Sequence, residues 1–64
     1  MEKEFILEKE ELAELLRDIA ESVEEGQVNL DGDDWKVAQP VSGNVPVRVF
    51  SDEEELEIGF KLSD

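Results

Sequence analysis

Residues 8–30 read EKEELAELLRDIAESVEEGQVNL, and a change of rhythm inside that run decides the fold. As far as Glu25, the residues Leu12, Leu15, Leu16, Ile19, Ala20 and Val23 recur at the i, i+3, i+4, i+7 spacing that lines one side of a helix. Ala, Leu, Glu and Arg all favour helix, and neither Gly nor Pro interrupts them. Gly26 stands where a left-handed residue ends a helix. Beyond it Val28 and Leu30 alternate with Gln27 and Asn29, which is the period of a strand. The spacing predicts a helix over 8–25 and a sheet after it.

Working outward, the carboxyl-terminal half keeps the period of two. Asp31-Gly32-Asp33-Asp34 is turn-forming, and its Asp-Gly step suits a tight hairpin. Trp35 and Val37 share a face after it, and residues 39–44 read as a loop by composition. Val45, Val47 and Val49 alternate, with Pro46 placing that strand at an edge or at its own beginning. Asp52–Glu55 is an acidic loop. Leu56, Ile58, Phe60 and Leu62 then make the most regular strand of the chain. On the amino-terminal side, Phe5-Ile6-Leu7 reads as a short strand leading into the helix. One domain over residues 1–64 is expected, of class α+β: one amphipathic helix packed in two layers on an antiparallel sheet of four to five strands. The expected core sets Leu12, Leu15, Leu16, Ile19 and Val23 against Val28, Leu30, Trp35, Val37, Val47, Val49, Ile58 and Phe60.

Charge is the second strong signal. Nineteen Asp and Glu stand against six Lys and Arg, with no His, for a formal charge of −13 over 64 residues. Such crowding costs self-repulsion, which counterions or a basic partner would relieve. High charge with few aromatics also suits a disordered chain, but the 39% of hydrophobic residues falls in periodic blocks, which favours a folded one. Acids at Glu24 and Glu25 sit at the negative end of the helix, where Lys or Arg would suit the dipole. Acidity has overridden local helix optimisation there.

With that layout in place, the chain resembles the amphi-Trp domain, a small acidic family of haloarchaea and other prokaryotes. The resemblance lies in the acidic amphipathic helix running into Glu24-Glu25-Gly26-Gln27-Val28-Asn29-Leu30. A short hairpin, a loop with Pro40 and Asn44-Val45, and the closing alternation Leu56-Glu57-Ile58-Gly59-Phe60-Lys61-Leu62 complete it. It covers nearly the whole chain through residue classes, not catalytic signatures. In the family a Trp closes the last amphipathic strand; here Phe60 or Leu62 takes that place and Trp35 is the sole Trp. The resemblance implies a small α+β domain and no known activity.

Several function classes are disfavoured by what the chain lacks. Without His, Cys, Thr or Tyr, the usual general bases and activated nucleophiles are missing, so no catalytic residue and no enzyme is expected. No cofactor is expected either. Asn29, Asp31 and Asp33 have the 1, 3, 5 spacing of a calcium loop, but Asp34 occupies the required Gly position and Pro40 that of the bidentate Glu. A turn explains those acids without a metal, leaving only weak cation association there and at Asp52–Glu55. Direct nucleic-acid binding is opposed by the charge, since the six cations are scattered. No apolar run is long enough for a bilayer, and MEKEFILEKEE lacks the parts of a signal peptide, so a cytoplasmic, membrane-free protein is expected.

The reading that remains is a small acidic module adapted to high salt that contacts a protein partner or a second copy of itself. The alternative is a nucleic-acid mimic that occupies a basic DNA- or RNA-binding protein, with Glu10, Glu11, Glu14, Asp18 and Glu21 as its row of charge. A solvated helix face explains the same row. Trp35 reads as core or as an interface anchor, and Phe5 with Phe50 as a contact for a second subunit.

Overall fold

The computed structural model describes all 64 residues. Helix α1 runs Lys9–Glu25, followed by strands β1 (Gln27–Asp31), β2 (Lys36–Pro40), β3 (Val47–Ser51) and β4 (Leu56–Phe60). The Glu8 amide donates to Glu11 Oε1 at 3.1 Å, tying the first turn. Gly26, at φ 92°, closes the last turn by donating to the Ser22 and Val23 carbonyls. No basic residue lies in that last turn.

The helix packs on β1 of an antiparallel hairpin, β1–β2, whose register sets Val28 opposite Gln39 and Leu30 opposite Val37. These residues share one face. Their alternating burial matches the predicted period, and Val28, 3% exposed, is the sole fully buried side chain of the chain. The α+β class and the helix-on-antiparallel-sheet arrangement therefore hold, with four strands.

Those strands form two separate two-stranded sheets, β1–β2 and β3–β4, where sequence reading expected one layer. The path between them bends at Gly43, which adopts the left-handed φ of 73°. Three contacts hold the bend: Val41 donates to the Gly26 carbonyl, Ser42 to Ser63, and Lys61 to Pro46. The second hairpin does not pack on the helix. An open apolar groove separates Leu16, Ile19 and Val23 from Val45, Val47 and Phe60. Helix α1 makes its contacts with β1 and reaches neither β3 nor β4. Val47, Val49, Ile58 and Phe60 are accordingly on the surface, not in the core.

The result is an extended molecule. Its radius of gyration is 13.0 Å, against about 11 Å for a compact chain of this length. Its accessible surface is 5944 Å², against about 4,200 Å² for a compact 7.3 kDa monomer.

Three local expectations are also corrected. Phe5–Leu7 is not a strand: it pairs with no ladder, and Phe5 stacks on Trp35 with centroids 6.2 Å apart and planes 25° from parallel. The loop of the first hairpin has four residues, closed by the Asp31–Lys36 pair and by the Gly32 amide donating to the Trp35 carbonyl at 2.9 Å. Gly32 has no positive φ; its lack of a side chain matters because a Cβ there would collide with the Trp35 indole. Strand β2 continues through Gln39 and Pro40, which composition had placed in a loop.

The second hairpin turns through a similar four-residue loop, closed by Ser51–Leu56. Asp52 Oδ1 accepts the amides of Glu54 at 2.9 Å and Glu55 at 2.8 Å. These two donors, Glu54 first, hold the Asp52 carboxyl below its ordinary value of 3.8.

Two outcomes follow. Gly32→Ala displaces the indole and breaks its stack on Phe5, at a cost of about 1 kcal/mol, the scale of one aromatic pair; fluorescence of the single Trp shifts to longer wavelength. For Asp52 the folded pKa is depressed, so its contribution to the turn is complete above pH 3.8 and disappears as pH falls through the lower folded value. The Glu54 and Glu55 amide shifts, followed by NMR, should lose that component of their titration in Asp52→Asn, which keeps an acceptor but no charge.

Candidate interaction surface

Cross-strand register decides what the second hairpin presents. Val47 pairs with Phe60, Val49 with Ile58 and Ser51 with Leu56, so five apolar side chains share one face of a sheet only two strands wide. Val47, Val49, Leu56 and Ile58 are 62, 64, 61 and 61% exposed. The reverse face carries Arg48, Phe50, Glu57 and Gly59. An isolated two-stranded hairpin is marginal in water, and here its apolar side lies open.

A second apolar strip lies on the helix. Leu15, Ile19 and Val23 are half-buried, while Leu12 and Leu16 stay 46 and 50% exposed with Ala20 beside them. At 100° per residue the first group centres nearer β1 and the second on the flank away from it. This open flank runs without a break into the groove at the root of the second hairpin, where Leu16, Ile19, Ala20 and Val23 face Val45, Val47, Phe60 and Leu62. The surface is therefore one apolar track, along the helix and on to β3–β4.

Of the residues singled out from sequence, the structure brings some together and separates others. Trp35 is half-buried and, with Phe5, Leu7, Leu15 and Leu30, floors a shallow hollow. Glu11, Glu14, Asp18, Asp31 and Asp33 line the same hollow. Glu10 and Glu21 are exposed elsewhere on the helix. Phe5 partners Trp35, and Phe50 stands on the far hairpin opposite Glu57. The acids are nearly unpaired: Lys3 Nζ to Asp34 Oδ1, at 3.3 Å, is the one ion pair in the chain. No group of three or more acids converges in a way that could hold a metal ion, and no helix is long and apolar enough to cross a membrane.

Sequence reading missed the exposed face because it assigned those residues to the core. Alternation marks the apolar side of each strand but not what lies against it.

No protein-family model, curated protein or solved structure matches this chain.

The contrast between the two hairpins is measurable at concentrations low enough to keep chains apart. Val28→Ala should cost about 2 kcal/mol through lost burial and a residual cavity. Val49→Ala, at a surface position, should change stability by less than about 0.5 kcal/mol. Paired chemical denaturation curves would check both values.

Proposed function

We propose that this chain is a non-enzymatic, self-associating interaction module of the cytoplasm whose acidic surface is an adaptation to high salt. The observation that carries this reading is the open apolar face of β3–β4. A solvent-exposed patch of this kind marks a contact surface, and this one is built on a hairpin too thin to be stable uncovered. Association is the usual way for a domain of this size to complete its core.

The charge fits the same reading. Each chain carries −13, so bringing copies together in dilute buffer concentrates like charge. At about 1 M salt the screening length falls to about 3 Å, and the repulsion is largely removed. The apolar attraction then acts alone, and concentrated salt strengthens it where the ions are excluded from the surface. The absence of His, Cys, Thr and Tyr supports a role without chemistry. The resemblance to the amphi-Trp domain supports a small acidic module of the same class.

Sedimentation and thermal melts in about 0.1 M and about 2 M KCl test the proposal, the two lying either side of strong screening. The expected result is association at micromolar concentration in the higher salt, with the melting temperature raised by at least about 5 °C, the equivalent of about 1 kcal/mol. A monomer in both, melting at one temperature, would refute it. Binding only to a basic nucleic-acid-binding protein, displaced by DNA, would give the acidic helix face the leading role instead.

A further inference from the structure

We infer that two copies clasp each other reciprocally, the apolar face of each β3–β4 arm lying along the open flank of the other's helix. This rests on the reading that the chain self-associates, and it names the geometry and the partner: a second copy of the same chain.

The area comes first. The chain exposes 5944 Å², about 1,700 Å² more than a compact monomer of its mass would. A standard interface takes only about 800 Å² from each partner, and obligate homodimers bury about 2,000–5,000 Å² in total. The surplus on two copies therefore falls within the range of an obligate dimer.

Self-complementarity comes next. A twofold interface needs one chain to carry both halves of the contact, so that each surface meets the other's counterpart. This chain does: Val47, Val49, Ile58 and Phe60 stand on the arm, and Leu12 and Leu16 on the helix. Their lengths agree. Five-residue strands span about 13 Å end to end at about 3.3 Å per residue, and the open flank from Leu12 to Ala20 spans about 12 Å at about 1.5 Å per residue.

The chain has no cysteine, which makes cross-linking clean. A Leu16→Cys chain is mixed with an Ile58→Cys chain under a mild oxidant at high salt, with helicity followed by circular dichroism as the control for folding. Because each chain has one thiol, every disulfide formed joins two chains. The expected main product joins position 16 to position 58, exceeding both homodimers. In parallel, Val49→Asp, which alters an exposed position, should weaken association by about 30-fold or more, the loss typical of a central interface residue. If wild-type chains sediment as dimers but the 58–58 product dominates, the arms stack on each other; the clasp is then wrong and self-association stands. If wild-type chains stay monomeric at every salt concentration, both ideas fail together.

Discussion

The packing of helix α1 on β1, and on neither strand of the second hairpin, is the contact on which the rest of this molecule depends. The 17-residue helix α1 spends its cover on β1, where Val28 is enclosed. Nothing within the chain remains to cover β3–β4. The backbone turns at Gly43 and carries the second hairpin away from the helix, with its apolar side open.

Electrostatics works on a different length scale. One ion pair serves a chain of net charge −13, so the acids act through their collective field and their hydration, not through partners. Glu24 and Glu25 show the preference most plainly, since they weaken the helix end they occupy. Asp52 is the exception. It is put to local use, its carboxylate bonded to two backbone amides at the tip of the second hairpin. Shielding by dissolved ions quiets the field while leaving short contacts of this kind almost intact.

Much of the fold was legible from period alone. The helix ends at Glu25 because Gly26 can take the left-handed conformation, and Val28, Leu30 and Val37 share a face because they alternate. Three things were not legible. Phe5–Leu7 looks like a strand by composition, but its role is to lay Phe5 on Trp35, a contact between residues 30 apart in sequence. Gly32 reads as part of a tight Asp-Gly hairpin turn, yet it is needed for the space under an indole ring. Periodicity tells which side of β3–β4 is apolar but not whether anything lies against it. That last question depends on packing between distant elements, which no single segment contains. The acidic row was visible as residues, but only the folded chain separates Glu11, Glu14 and Asp18 beside the aromatic hollow from Glu10 and Glu21 elsewhere.

Because β1–β2 and β3–β4 are separate pairs, each sheet has only two strands, and strand flanks remain unmatched along both. Such flanks are templates for fibril growth, and natural proteins restrain them with charge. In this chain the restraint is carboxylate, with Glu57 on the back of the exposed arm and four acids at its tip. Neutral residues at these positions would remove the gatekeepers while leaving the valines and Ile58 unchanged. The exposed arm would then be open to edge-to-edge cross-β stacking.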